Sequence, residues 1–183
     1  MPKFAEVYPS IVLRAIAAHG RIGRKHLAKE LKIGEGSIRT ILNRLEKEGL
    51  ISSSRGGHVI TLAGKKVLEK EVFVRVKAKG LTVGKANVAT LVRGGAKKVK
   101  LGLEERDEAI KVGARGATVL VFRKGKLMVP GNVCEIDPEA ATEIISALHP
   151  ADGDLIIIGT GDDFYSAEAG ARAAALLRST NTR

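Results

Sequence analysis

The chain has 183 residues, 44% of them hydrophobic, which suits one large or two small domains; it has no run near the ~18 apolar residues of a membrane span, and Met1-Pro2-Lys3-Phe4-Ala5-Glu6 lacks the apolar stretch of a secretory signal. A single cysteine, Cys134, excludes an intrachain disulfide framework and makes a reducing cytoplasm the expected setting. Charge is uneven: residues 1–76 hold 15 basic and 7 acidic side chains against 16 and 13 in residues 77–183, so the N-terminal part is the expected polyanion binder.

Three helices are expected first. Pro9-Ser10 precedes Ile11 to His19, Gly20 stops it, and residues 12, 13, 16 and 17 make one face. The second spans about Arg24 to Leu31, with Leu27 and Leu31 four apart. A tight turn at Ile33-Gly34-Glu35-Gly36 leads to a third from Gly36-Ser37 to Glu48, ahead of Gly49. Its Ile38, Ile41, Leu42 and Leu45 follow i, i+3, i+4, i+7 and form an inward stripe. Beyond Gly49, Leu50 to Leu62 reads as two short strands around Arg55-Gly56-Gly57, the glycine pair supplying the positive φ of a tight hairpin. A fourth helix, about Ala63 to Glu71, and a strand-like run, Val72 to Val76, follow.

The second half alternates. Lys85 to Val92 reads as helix, residues 93–96 as a glycine-rich turn and Val99 to Leu103 as a short strand. Glu104 to Val112 reads as a helix whose Glu104, Glu105, Asp107 and Glu108 face solvent. Residues 117–122 and 127–129 form a hairpin around Arg123-Lys124-Gly125-Lys126. Asp137 as N-cap, Pro138 at N1 and Glu139 at N2 open a helix to Leu148. Asp154 to Gly159 is a buried strand, Ser166 to Arg178 an Ala-rich helix, and residues 179–183 a polar tail.

Helix, helix, tight turn, helix, glycine-bearing hairpin, helix is the order of a winged helix-turn-helix. The expected fold class is therefore α+β, with that module at residues 1–75 and a mixed α/β domain at 76–183. Its third helix would enter the major groove of double-stranded DNA, presenting Ser37, Arg39, Thr40, Asn43, Arg44 and Lys47 to phosphates and base edges. Arg55 and His58 at the hairpin tip would reach the backbone or minor groove, and Arg24 and Lys25 open the second helix where a phosphate fits. Only 3% of residues are aromatic, without Trp, which argues against stacking on single strands.

Residues 36–51, Gly-Ser-Ile-Arg-Thr-Ile-Leu-Asn-Arg-Leu-Glu-Lys-Glu-Gly-Leu-Ile, resemble the recognition helix and exit of prokaryotic winged-helix transcriptional regulators. Ile60-Thr61-Leu62-Ala63-Gly64 resembles the ending of their wings. The whole layout is similar to an archaeal family of winged-helix proteins with an uncharacterised C-terminal α/β domain. That resemblance implies a fold and no known activity.

In the second half, Ile158-Gly159-Thr160-Gly161-Asp162-Asp163 lies between a strand and a helix. A glycine turn there can offer amides to an anion or small ligand, which makes Gly159, Thr160, Gly161, Asp162 and Asp163 candidate ligand residues. Against this, Phe164 replaces the last glycine of GxGxxG, and two aspartates repel a phosphate unless a metal bridges them. The other reading is a tight turn whose Asp side chains bond local amides. His19, His26, His58 and His149 have no metal-site spacing with Cys134, and GxSxG, P-loop and HExxH signatures are absent. No catalytic residue or metal is therefore assigned, and the cofactor stays unknown.

The expected function is a transcriptional regulator that binds duplex DNA as a homodimer, with a C-terminal domain for dimerisation or a small-molecule effector, and no membrane partner. The alternatives are an enzyme with a nucleotide- or metal-binding C-terminal domain and an accessory winged helix, as in some archaeal riboflavin kinases, and a nucleic-acid-associated structural protein.

Overall fold

A computed structural model describes residues 4–131 and 136–179; Cys134, the residues ahead of Phe4 and those after Ser179 lie outside them. The chain divides into two compact units, Met1–Glu71 and Val72–Arg183. The first runs α1 (Phe4–His19), α2 (Arg24–Leu31), α3 (Glu35–Lys47), β1 (Ile51–Ser54), β2 (Gly57–Ile60) and α4 (Leu62–Glu69). Ile11, Leu13 and Ile16 from α1, Leu27 from α2, and Ile38 and Leu45 from α3 are at most 1% exposed and form an aliphatic core.

Helix α1 begins at Phe4 rather than Ile11, and Pro9 lies inside it. Proline has no N–H for the carbonyl four residues back, here that of Ala5. Arg44 Nη1, from α3, donates to that oxygen at 2.8 Å. Helix α2 ends on Lys32, held at φ 55°, and the Ile33 amide bonds the Ala28 carbonyl. Helix α3 then starts at Glu35, so Gly36 belongs to its first turn rather than to the connection.

In the hairpin Ile51 faces Ile60 and Ser54 faces Gly57, so its tip is Arg55-Gly56. Of the glycine pair Gly57 alone has positive φ, 119°. Ile22 bridges to His58, and a Cβ on Gly57 would stand 2.7 Å from the Ile22 carbonyl oxygen. Thr61 caps α4 by accepting from the Gly64 amide at 3.1 Å and donates to the Gly49 carbonyl at 2.7 Å. A Cβ on Gly64 would meet the Leu50 carbonyl oxygen at 2.3 Å, so the hairpin and α4 close only around glycine.

The second unit adds β3 (Phe73–Arg75), β4 (Ala86–Val92), α5 (Leu103–Lys111), β5 (Gly116–Arg123), β6 (Lys126–Met128), α6 (Pro138–Leu148), β7 (Leu155–Gly161) and α7 (Phe164–Ser179), with a 3-10 turn at Gly95–Lys98. Its sheet has the order β3-β4-β7-β5-β6, every neighbouring pair antiparallel. On one face Ile144 and Leu148 of α6 pack on Ala89, Leu120, Ile156 and Ile158. On the other, Ala96 and Ala174 pack on Val119, Val121, Leu155 and Ile157. Asp137 caps α6 as expected, accepting from the amides of Glu139 and Ala140.

Several expectations are corrected here. The expected domain boundary after residue 75 falls after Glu71, because β3 pairs with β4. Lys85 to Val92 is not a helix: Ala86 and Val88 pack with Ala167, while Ala89 and Leu91 serve the α6 face, the period of a strand. Residues 99–103 form no strand: 99–102 lead from the 3-10 turn into α5, which Leu103 opens. Glu105 is not solvated. It is fully buried against Arg178, which also bonds Glu104 Oε2 at 2.6 Å. Burial works to lower the Arg178 pKa, but these two carboxylates outweigh it and raise the pKa. Among the described residues no helix is long and apolar enough to cross a membrane.

Candidate nucleic-acid interface

Helix α3 turns Ile38, Ile41, Leu42 and Leu45 inward and leaves Ser37, Arg39, Thr40, Asn43, Arg44 and Lys47 exposed. These six side chains are not equivalent. The Thr40 hydroxyl donates back to the Gly36 carbonyl at 3.1 Å. Arg44 is held twice, by Glu48 Oε1 at 2.8 Å and by the Ala5 carbonyl. Its guanidinium, although exposed, closes the gap left by Pro9. Arg39, Asn43 and Lys47, at i, i+4, i+8, form one outward stripe of donors.

Arg24 and Lys25 are exposed in the first turn of α2. Arg24 lies 3.7 Å from Glu35, a loose and exposed pair. Lys25 shares a shallow concavity with His19, His26, Lys29 and Glu30, where His19 Nε2 is 2.8 Å from Glu30 Oε2. Arg55 stands exposed at the hairpin tip. His58 does not: it lies within β2, half-buried, its Nδ1 2.9 Å from Ser53 Oγ. Burial lowers its pKa, Glu46 pulls the other way and Arg24 adds to the lowering. The hairpin's second cation is Arg21, whose Nη1 donates to Ser54 Oγ at 2.7 Å. Sequence reading missed it. The signal was Ile22, an apolar residue between Arg21 and Gly23 that pairs with the hairpin.

The segment 159–163 is placed otherwise than expected. Gly159, Thr160 and Gly161 are residues of β7, paired with β4 and β5, and their backbone serves those ladders rather than a ligand. The glycines are needed by packing: a Cβ on Gly159 would lie 2.1 Å from the Ala167 carbonyl oxygen, and one on Gly161 would lie 2.3 Å from Ser166 Oγ. Asp162 pairs with Arg115 Nε at 2.6 Å, and Asp163 Oδ1 accepts from the Ser166 amide at 2.9 Å as α7 opens. Among the described residues no group of three or more His, Cys, Asp or Glu side chains is arranged to hold a metal ion.

No curated protein is similar to this chain. A solved structure, the hypothetical protein PH0730 from Pyrococcus horikoshii OT3, is 28% identical, with 95% of this chain and 94% of that one covered and a TM-score of 0.65. Residues 12–66 match the family model described as PH0730-like, N-terminal domain, and so cover α2, α3 and the hairpin. Residues 83–180, more than half of the chain, match the model described as "Domain of unknown function (DUF4443)", and the chain belongs to that family.

Proposed function

We propose that the first unit is a winged helix that binds duplex DNA, and that the protein is a transcriptional regulator whose second unit supplies dimer contacts or an effector site. One observation carries this reading: the stripe Arg39, Asn43, Lys47 stands outward on a helix whose opposite side is aliphatic core. A major groove about 12 Å wide admits one such helix. There Arg39 and Asn43 have the fork geometry to bond a guanine and an adenine edge, while Lys47 suits a phosphate. Arg21 and Arg55 give the hairpin two cations for the flanking backbone or minor groove. The core of a protein-docking face is usually depleted in charged residues, lysine among them, whereas this stripe is cationic.

Selection of bound sequences from a random duplex pool, followed by titration with Arg39→Ala, tests the proposal. A preferred, two-fold symmetric site is expected, on which Arg39→Ala costs about 1–3 kcal/mol and far less on random duplex. An equal loss on both leaves phosphate contact alone. Absence of duplex binding at low salt ends the proposal. Light scattering of the full chain at micromolar concentration tests the dimer separately.

A further inference from the structure

At the β5–β6 end of the second unit's sheet, a cavity of about 120 Å³ opens beside the Gly95–Lys98 turn. Ala96, Val99, Val121 and Val129 wall it with apolar surface. Lys100 and Arg123 both line it, and among the described residues no acidic side chain does. Exposed apolar side chains gather at the same place. Met128, 44% exposed, lines the cavity. Leu101, 63% exposed, lies over Gly131, another lining residue at φ 76°, where a Cβ would stand 2.7 Å from Leu101 Cδ2. These two side chains extend the apolar wall of the cavity out to its solvent side.

We infer that this cavity binds a small organic carboxylate with an alkyl body. Arg123 has the planar fork that matches a carboxylate, and Lys100 adds a second positive charge at the rim. The wall of Val99, Val121 and Met128 takes the alkyl part, and the volume holds about four water-sized groups, hence an alkyl body of about that many carbons. Its role as the effector site rests on the regulator reading above; carboxylate binding itself does not.

The test is an amide NMR titration of the full chain with sodium acetate, propanoate, butanoate and pentanoate, using butylammonium and inorganic phosphate as controls. Saturable shifts are expected at Lys100, Arg123, Met128 and Gly131. Affinity should rise about three- to fourfold per added methylene and level off once the cavity is full. Arg123→Ala and Lys100→Ala, both at exposed positions, should each weaken butanoate about tenfold with the amide spectrum otherwise intact. Linear, non-saturating shifts, equal response to butylammonium or phosphate, or unchanged affinity in both variants would overturn the inference. Duplex DNA is titrated into the same samples: carboxylate binding without DNA binding removes the regulator reading and leaves this one standing.

Discussion

Arg44 and Pro9 should be energetically coupled although they are 35 positions apart. Pro9 cannot donate to the Ala5 carbonyl, and Arg44 Nη1 does so instead at 2.8 Å. Arg44 is exposed, so this charged bond belongs at the weak end of its class, and Arg44→Ala should cost about 1–1.5 kcal/mol. In a Pro9→Ala background the residue 9 amide reaches Ala5 by the ordinary helical bond. Arg44→Ala should then cost only the surface pair with Glu48, about 0.3–0.5 kcal/mol. Pro9→Ala alone should stabilise the chain by up to about 3 kcal/mol, the size of the usual proline penalty in a helix interior. Hydrogen exchange of the α1 amides is the suitable assay, because it reports the first unit by itself when two units need not unfold together. Equal costs of Arg44→Ala in both backgrounds, within about 0.3 kcal/mol, would refute the reasoning.

Three further outcomes follow from the second unit. Asp154 is buried, which alone would raise its pKa, but the amides of Ala151 and Gly94 and the Arg93 guanidinium hold it below the ordinary 3.8. Its contribution is therefore complete above that value and lost as pH falls through the lower folded pKa. The stability gap between wild type and Asp154→Asn should shrink on acidification, and a pH-independent gap would contradict this. Arg178→Ala leaves Glu105 buried without its partner and should cost about 3–5 kcal/mol in urea unfolding, most of it recovered by adding Glu105→Leu. Gly159→Ala must push α7 away from β7 and should lower stability by about 1–3 kcal/mol or more; an unchanged unfolding midpoint would show that the contact yields freely.

What was legible in the sequence was what one periodicity decides. Ile38, Ile41, Leu42 and Leu45 gave the buried side of α3, and its complement named Arg39, Asn43 and Lys47. Asp137-Pro138 marked α6 to the residue, because a cap is a local hydrogen bond. The failures depend on distant partners. Pro9 reads as a helix start until Arg44 is seen to satisfy Ala5. Ala86 to Val92 shows no polar alternation because β4 lies between β3 and β7 with apolar contacts on both faces. Glu105 reads as solvated because nothing near it in sequence announces Arg178, 73 positions on.

The glycines of residues 159–161 show how one pattern supports opposite meanings. A glycine-rich turn between strand and helix binds an anion when its amides are free and point outward. In this chain β7 is the central strand, bonded on both sides, so its amides are committed before the turn begins. The missing side chains serve a different contact: the backbone of α7 at Ala167 and Ala171 lies where a Cβ of residue 159 would be, and a Cβ on Gly170 of α7 would likewise meet the Cβ atoms of Ala114 and Ala109. Close approach of helix to strand and close approach of backbone to phosphate ask for the same residue. Strand position, which spacing does not encode, decides between them, and here it assigns these glycines to packing.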